Sequence, residues 1–195
     1  MERNQSNELR LIHRQLRDNM SAEEHSSKST DVSKNVLALL ESDFKGANIF
    51  LCFYPFGSEV DIKPVYEHLL ETGKSLYFPI SNTKNHTITF YNISHLRSDF
   101  HKGAYGIMEP NELLPSFDYK ELQKERIICI TPGLVFDKQL NRIGYGAGFY
   151  DRFFSDKLDI VRIAPCFENQ IADNIFALEH DIRMNMVISE KDIFK

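Results

Sequence analysis

Residues 126–133 read Arg-Ile-Ile-Cys-Ile-Thr-Pro-Gly. A short, uninterrupted apolar run that ends at a Pro-Gly pair predicts a strand buried on both faces, as in a parallel sheet. The run at 47–54 has the same character, and further strands are predicted at 75–80, 160–166 and 186–189. A largely buried sheet is therefore the expected centre of the fold.

Two helices are predicted before the first of these strands. The first is amphipathic, with apolar residues at helical spacing and arginines on another face. The apolar positions are Leu9, Ile12, Leu16 and Met20, and the arginines are Arg10, Arg14 and Arg17. Ser21 followed by Glu24 predicts a capped start for the second helix, which we expect to end near Phe44.

The remaining segments complete an alternating pattern. Residues 61–72 predict a short helix, 87–93 an edge strand or hairpin arm, and 94–126 loops with one short helix. Because strands alternate with helices, the predicted fold class is α/β with a mostly parallel central sheet covered on both sides. Ligands of such sheets bind beyond the carboxyl ends of the strands.

Composition and charge restrict the class of protein. The chain has 195 residues, and we expect residues 1–195 to form a single domain. The formal charge of −5 argues against a broad nucleic-acid-binding surface. Its three widely spaced cysteines predict reduced, buried thiols, and no apolar run approaches the ~20 residues of a membrane helix. We expect a cytoplasmic protein that needs no nucleic acid or membrane, with a monomer favoured and a dimer left open.

The segment most informative about function follows the predicted strand at 126–131. Residues 142–151 read Arg-Ile-Gly-Tyr-Gly-Ala-Gly-Phe-Tyr-Asp, with glycines at positions 144, 146 and 148. Glycine lets backbone N–H groups approach an anion closely, and a helix starting near Phe149 points its free N–H groups at the same place. Arg142 adds a permanent positive charge, and Asp151 adds an oxygen ligand suited to magnesium. These are the parts of a site for nucleotide phosphates.

The glycine spacing matches neither of the two standard phosphate-binding loops. A glycine-rich turn with a solvated arginine is therefore the alternative interpretation of these residues alone. The seven histidines show no paired metal-binding spacing, so we predict no catalytic histidine.

Several further motifs lie in order along the chain. The most specific is Pro-Gly-Leu-Val-Phe-Asp at 132–137, followed by residues 142–152. The others are Glu8-Leu9-Arg10, Tyr54-Pro55 through Glu59-Val60-Asp61, Gly73-Lys74 with Phe78-Pro79, Gly106-Ile107 with Glu109-Pro110, and His180-Asp181. Each is weak alone, but the ordered set, which spans nearly the whole chain, closely resembles the 5-formyltetrahydrofolate cyclo-ligases, also called methenyltetrahydrofolate synthetases.

The resemblance implies a three-layer α/β/α fold and a specific activity. That activity is the conversion of 5-formyltetrahydrofolate to 5,10-methenyltetrahydrofolate with ATP and Mg2+, giving ADP and phosphate. In the family mechanism the γ-phosphoryl group of ATP moves onto the formyl oxygen, because that oxygen otherwise leaves as hydroxide, a poor leaving group. The second folate nitrogen then attacks the activated carbon of this phosphorylated formyl intermediate, and phosphate departs.

The resemblance also implies roles for individual residues. ATP contacts are expected from Arg10 and from the glycine segment, which comprises Arg142, Ile143, Gly144, Tyr145, Gly146, Ala147, Gly148, Phe149 and Tyr150. Arg142 and Tyr145 are the candidate catalytic residues. Folate contacts are expected from Tyr54, Phe56, Glu59, Tyr145, Gly146, Gly148 and Phe149, with Glu59 on the pterin ring. Asp151 and Asp181 are the candidate magnesium ligands.

Simpler interpretations of these residues stay open. Arg10 is also consistent with a solvated helix residue, and Glu59 and Asp181 with helix caps. Three aromatic residues are more often core than ligand contacts, and these are Tyr54, Phe56 and Phe78.

The chain departs from the family pattern at three positions. Ser6 stands where the family usually has a lysine four residues before Arg10, with Arg3 as the candidate substitute. Leu140 stands where a glycine is common. Ala147 replaces a frequent glycine or lysine, and this replacement requires a negative φ.

Two other functions compete with the cyclo-ligase. One is a non-catalytic nucleotide- or sugar-phosphate-binding domain on a related scaffold, since fold alone does not determine function. The other is an isomerase of phosphorylated sugars, which needs no ATP and makes no use of the magnesium-type aspartates.

Overall fold

The computed structural model describes residues 2–103 and 106–195, with side chains from residue 5 onward. Five α-helices and twelve strands alternate along these ranges. The helices are α1 (Glu2–Asp18), α2 (Ala22–Asp43), α3 (Lys63–Glu71), α4 (Tyr119–Leu122) and α5 (Phe149–Phe154). The strands are β1 (Ile49–Leu51), β2 (Ser75–Asn82), β3 (Thr87–Ile93), β4 (Phe100–Lys102), β5 (Met108–Pro110), β6 (Ile127–Ile130), β7 (Val135–Asp137), β8 (Arg142–Ile143), β9 (Val161–Pro165), β10 (Ile171–Ala172), β11 (Met186–Ile188) and β12 (Ile193–Phe194).

Seven strands form the central sheet, in the order β12-β11-β9-β6-β1-β2-β3. The five inner strands pair in parallel, whereas β3 and β12 run antiparallel at the two edges. This arrangement confirms the predicted α/β class with a mostly parallel sheet. It also confirms the edge strand predicted at 87–93, which pairs with β2 as a hairpin.

Alternate residues of the inner strands face opposite layers of helices. Phe50 of β1 packs in the cluster that contains Val36 of α2 and Val65 of α3. Leu51 instead packs in the cluster that contains Phe154 of α5. Because both faces are covered, β1, β6 and β11 are apolar at every position, and the three-layer arrangement implied by the family resemblance is confirmed.

The predicted caps and ends of the first elements are accurate to one or two residues. The side chain of Ser21 accepts a hydrogen bond of 3.1 Å from the backbone N–H of Glu24, and α2 ends at Asp43 with Phe44 as its C-cap. Both features depend on neighbouring residues, so the local sequence is sufficient to predict them.

Short strands outside the central sheet escaped prediction. β7, β8 and β10 form a second sheet, and β4 pairs with β5 inside the segment predicted as loops and one helix. These strands have two or three residues each, which is too short for an alternating pattern to appear in the sequence.

The docking face of α1 differs from the prediction. Leu9 packs against the β7–β8 region, but Ile12 and Leu16 remain largely exposed, whereas His13 and Arg17 are buried. The surface under α1 consists of polar groups, including the carbonyl of Asn169, which lies 2.7 Å from His13 Nδ1. Burial along this helix therefore follows hydrogen-bond partners rather than hydrophobicity.

The direction of chain progression reverses between β1 and β6. From β1 the chain continues to β2 on one side, and it later returns to β6 on the other side and continues outward to β9 and β11. Residues 52–59 follow β1 and residues 131–134 follow β6, so both segments lie at the carboxyl edge of this switch point. Ligands of open α/β sheets bind at such a position.

The predicted state of the cysteines is confirmed, since Cys52, Cys129 and Cys166 are buried free thiols. Burial raises the pKa of Cys129 to about 12, which keeps this thiol protonated and unreactive. Within the described ranges, no helix has the length and apolar character needed to cross a membrane.

Candidate active site

The glycine turn (residues 144–148) joins β8 to α5 at the same edge of the molecule. Gly146 and Gly148 have φ values of 102° and 65°, a backbone conformation that L side chains rarely adopt. A Cβ atom at Gly144 would lie 2.6 Å from Nη1 of Arg142, so a side chain there would have to displace the Arg142 guanidinium. In the described chain the non-glycine residues with positive φ are His86 and Leu140, so Ala147 meets the requirement stated for it.

Four arginines surround the glycine turn. Arg10 Nε donates a 2.9 Å hydrogen bond to the carbonyl oxygen of Gly144, so α1 reaches the turn as the Arg10 prediction requires. The guanidinium of Arg14 lies 5.7 Å from the ring centre of Tyr145, and Arg152 donates to the carbonyl of Ala147. The fourth is Arg17. The side chain of Arg3, the candidate substitute for the missing family lysine, lies outside the described residues.

Arg142 forms an ion pair with Asp151. Its Nη2 atom donates to both carboxylate oxygens at 2.9 Å, and the Arg142 side chain is only 4% exposed against 20% for Asp151. Nε of Arg142 is buried and has no hydrogen-bond partner among the described residues. The structure thus brings the predicted site residues Arg142 and Asp151 together. Their charged groups contact each other and are largely shielded from solvent.

The two candidate magnesium ligands lie on adjoining segments. Asp151 Oδ1 accepts a 3.3 Å hydrogen bond from the backbone N–H of Ile182, the residue after Asp181. Asp181 Oδ2 accepts from the N–H of Leu178 at 2.8 Å within a turn, and the described chain has no helix there for it to cap. Across the described residues there is no group of three or more metal-ligating side chains. A magnesium ion bound here therefore needs further ligands from water or from a phosphate.

Glu59 is buried at the carboxyl edge of β1. Its Oε1 atom accepts a hydrogen bond from the hydroxyl of Tyr145, and Oε2 accepts from the N–H of Phe56 at 3.0 Å. Burial raises the pKa of Glu59, whereas the hydrogen bonds from Tyr145 and Phe56 and the nearby charge of Arg17 lower it. Glu59 precedes α3 without capping it, since the N-cap of α3 is Ile62.

Arg17 is a site residue that the sequence patterns missed. Only 5% of it is exposed, and its Nε donates a 3.0 Å hydrogen bond to Ser58 Oγ while Nη2 donates a 3.3 Å hydrogen bond to the Tyr145 hydroxyl. Its spacing from Arg10 and Arg14 suggested a solvated face. The side chains beside it come from segments 41 and 128 positions away, which spacing within one helix does not reveal.

A small pocket of about 10 Å³, enough for about one water molecule, lies beside Glu59 and Arg17 at the switch point. Its lining includes Arg17, Phe53, Glu59, Pro132, Gly133 and Gln170. The pocket thus joins the segment after β1, the segment after β6 and the last turn of α1.

The predicted aromatic residues divide between core and surface. Phe78 is fully buried among Tyr66 and Phe100, which supports the core interpretation, and Tyr54 packs on Phe100 with ring centres 4.9 Å apart. Phe56 and Tyr145 are about half exposed.

Two members of the glycine segment have buried contacts, since Ile143 packs in the core around β7 and Tyr150 lies under the Arg142 guanidinium at 5.7 Å. Phe149 faces the ring of His86 at 6.2 Å.

Comparison with protein families gives a match over most of the chain. The family model described as "5-formyltetrahydrofolate cyclo-ligase family" matches residues 2–190. The 5-formyltetrahydrofolate cyclo-ligase of Haemophilus influenzae is 29% identical over 153 residues, which cover 74% of this chain and 75% of that protein.

Solved structures give the same result at the level of the fold. The 5,10-methenyltetrahydrofolate synthetase of Aquifex aeolicus superimposes with a TM-score of 0.81 at 26% identity, covering 97% of this chain and 92% of that one. The 5,10-methenyltetrahydrofolate synthetase of Mycoplasma pneumoniae, at 18% identity, shares the fold with a TM-score of 0.74 over 95% of this chain and 98% of that one.

Proposed function

This chain belongs to the 5-formyltetrahydrofolate cyclo-ligase family, and from that premise we propose that it converts 5-formyltetrahydrofolate to 5,10-methenyltetrahydrofolate with consumption of ATP. Family membership indicates an enzyme of the ligase class. One observation carries the proposal to this chain: Tyr145 belongs to the glycine turn and reaches Glu59 in the switch-point pocket. The turn suited to phosphates and the pocket beside Glu59 are therefore adjacent.

The glycine turn, with Arg10, Arg14 and Arg152 beside it, is the proposed site for the triphosphate. The absence of side chains at positions 144, 146 and 148 lets backbone N–H groups approach the phosphate oxygens. Arg10, Arg14 and Arg152 supply positive charge beside the turn. Phosphoryl transfer requires mainly positioning and charge neutralisation, and this set of residues provides both.

Mg2+ is proposed to bind between the triphosphate and the two aspartates. Magnesium in proteins is commonly held by one or two carboxylates together with water and substrate phosphates, so the pair of Asp151 and Asp181 fits it without a third side chain. Bound there, the ion would neutralise charge on the phosphates. Asp151 would then share its carboxylate between the metal and Arg142.

The switch-point pocket, enlarged when the Tyr145 side chain moves aside, is the proposed site for the pterin ring of the folate. Glu59 offers a buried carboxylate, the acceptor that adjacent ring N–H groups require. Phe56 and Tyr145, both partly exposed, border the site and offer aromatic faces. The tail of the folate is proposed to leave the pocket towards the solvent beside Phe56.

The role of the chain in the reaction is to hold two substrates in contact. With the triphosphate on the glycine turn and the pterin beside Glu59, the formyl oxygen is brought towards the γ-phosphoryl group that it receives. Arg142 stiffens the turn through Asp151. Before the folate binds, Tyr145 links the turn to Glu59. Once the formyl oxygen is phosphorylated, the neighbouring folate nitrogen attacks the carbon and phosphate leaves.

A groove along α1 is proposed to hold the nucleoside part of ATP. It is lined by Leu9 and His13 of α1 and by Ala172 and Phe176 opposite, and Phe176 is exposed enough to stack on a base. Leu9 precedes Arg10, so a nucleotide in this groove extends its phosphates towards the glycine turn.

The test is ATP cleavage by the purified protein with and without 5-formyltetrahydrofolate. We expect phosphate release to depend on the folate and on magnesium, together with the near-ultraviolet absorbance of the methenyl product. Binding of both ligands without product at high enzyme concentration would instead support the non-catalytic binding domain. ATP-independent conversion of a sugar phosphate would support the isomerase.

Four properties complete the proposal. Residues 1–195 act as one domain, as a monomer, on small molecules in the cytoplasm. Light scattering of the purified protein measures its mass in solution, and a mass of twice the 22.7 kDa chain would contradict the monomer.

A further inference from the structure

The hydroxyl of Tyr145 makes two hydrogen bonds of opposite sense inside the switch-point pocket. It donates to Oε1 of Glu59 and accepts from Nη2 of Arg17. One small group thus satisfies a buried acceptor and a buried donor that lie side by side. The edge of a cyclic amide, where a ring N–H lies beside a ring C=O, satisfies the same two partners. Its N–H donates to Glu59, and its C=O accepts from Arg17.

Arg17 is an unusual residue to bury at this position. In the part of the chain that the structure describes, it forms no ion pair with a carboxylate. A buried guanidinium without a carboxylate partner costs stability unless its donors are used. Nε is used by Ser58, whose hydroxyl in turn donates to Asp18, so the side chain is held with Nη2 towards Tyr145.

The third polar side chain lining this pocket has no donor to spare. Gln170 Nε2 donates to the carbonyl oxygens of Gly133 and Leu134 at 3.0 and 3.1 Å, and its Oε1 accepts from the N–H of Phe167. Recognition of a polar ring in the pocket is therefore left to Arg17 and Glu59.

We infer that Arg17 is a specificity residue that donates to the ring carbonyl of the ligand while Glu59 accepts from the adjacent ring N–H, and that the Tyr145 hydroxyl occupies this pair in the absence of ligand. The inference rests on the proposed function, because the pterin ring of the folate carries such a cyclic-amide edge. A ligand that enters the pocket displaces Tyr145 from both partners, and the buried donor and acceptor stay satisfied.

The first experiment compares two ligands on the wild-type protein. Calorimetry without ATP measures the Kd of 5-formyltetrahydrofolate and of its counterpart with an amino group in place of the ring carbonyl. We expect the carbonyl compound to bind about 10- to 100-fold more tightly, the range for one hydrogen bond to a charged group. Equal affinities would overturn the inference, whereas failure to bind either compound would overturn the proposed function as well.

The second experiment changes the two partners of the pair separately. Arg17→Met is expected to reduce the preference for the carbonyl compound to less than about threefold while leaving the Kd of ATP unchanged. Tyr145→Phe is expected to act in the opposite direction, tightening 5-formyltetrahydrofolate binding, because no hydroxyl competes for Glu59 and Arg17. Weaker binding by Tyr145→Phe, or an unaltered preference in Arg17→Met, would contradict the assignment.

A control separates recognition from a structural role. Arg126 also contacts the protein through its guanidinium, but it precedes β6 at the opposite end of the sheet, so Arg126→Met should leave both ligand affinities unchanged. Thermal melting shows whether Arg17→Met folds. If it does not, the role of Arg17 in recognition is tested by Arg17→Lys and by the ligand comparison on the wild-type protein. A folded Arg17→Lys protein that weakens binding of the carbonyl compound alone supports recognition by the guanidinium, and one that weakens both compounds equally overturns it.

Discussion

Arg142 and Asp151 lie at the two ends of the glycine turn and form an ion pair in which one guanidinium nitrogen is 2.9 Å from both carboxylate oxygens. Arg142 belongs to β8 and Asp151 to the first turn of α5. The pair therefore links the strand that enters the turn to the helix that leaves it. It also gives Asp151 a structural role besides the proposed binding of magnesium.

Asp151→Asn should destabilise the protein even when no magnesium is present. The change leaves the buried Arg142 without its counter-charge, and breaking such a pair costs roughly 2–4 kcal/mol of unfolding free energy. Urea denaturation in a metal chelator measures the loss. Asp181→Asn is the matched control, because Asp181 pairs with a backbone N–H rather than with a cation. Equal unfolding free energies for the two variants would show that Arg142 does not depend on Asp151.

Gly146→Val should abolish turnover while the protein stays folded. Gly146 has φ of 102° on an exposed turn, so a β-branched residue forces the turn into another conformation and blocks the approach of a phosphate. We expect a loss of about 100-fold or more in kcat/KM for ATP. Gly46→Ala, where an added Cβ meets nothing within 4 Å, is the control for removing a glycine. A Gly146→Val enzyme with normal kinetics would exclude the turn as the phosphate site.

Leu140 should be more stable as glycine than as alanine. Its φ of 69° lies in the left-handed region, where the family resemblance places a glycine, and its backbone is held there by hydrogen bonds to Asp137 and Met184. Both replacements lose the packing of the leucine side chain, so their comparison isolates the backbone. We expect the free energy of unfolding of Leu140→Gly, measured by chemical denaturation, to exceed that of Leu140→Ala by about 1 kcal/mol. The reverse order would mean that this turn is not strained.

Glu59→Gln should change the pH dependence of stability in a defined direction. Burial raises the pKa of Glu59 in the folded protein above its value in the unfolded chain. Its contribution to stability is therefore fully present below the unfolded pKa and is lost as the pH rises through the folded pKa. The melting temperature of the wild type minus that of Glu59→Gln should fall between pH 4 and pH 7. A constant difference over this range would show that Glu59 ionises normally.

The sequence predicted the parts of the fold that depend on neighbouring residues. The apolar runs at 47–54 and 126–131 lie on inner strands, and the cap at Ser21 has its expected hydrogen bond. The helix considered near Phe149 is present, since α5 starts at that residue directly after Gly148. The strands β7, β8 and β10 were missed, since two or three residues carry no period.

The candidate site was predicted as a set of residues rather than as an arrangement. Arg10 contacts Gly144 of the glycine turn, and Glu59 contacts Tyr145 of the same turn. Both candidate residues therefore lie beside the turn. Arg17 was assigned to the arginine face of the first helix and is instead buried, because its partners come from the segment after β1 and from the glycine turn.

Periodicity, capping residues and glycines act over a few positions, so the sequence by itself determined the α/β class, the buried strands and a turn suited to phosphates. The partner of each charged side chain was decided only by the tertiary structure. Tyr145 and Glu59 are 86 positions apart, and Arg17 and Tyr145 are 128 apart. Hydrogen-bond partners at such separations meet only after the sheet has assembled. Burying a charged side chain is favourable only where such partners are present. The assembled fold therefore decides which arginines are buried and which stay in water.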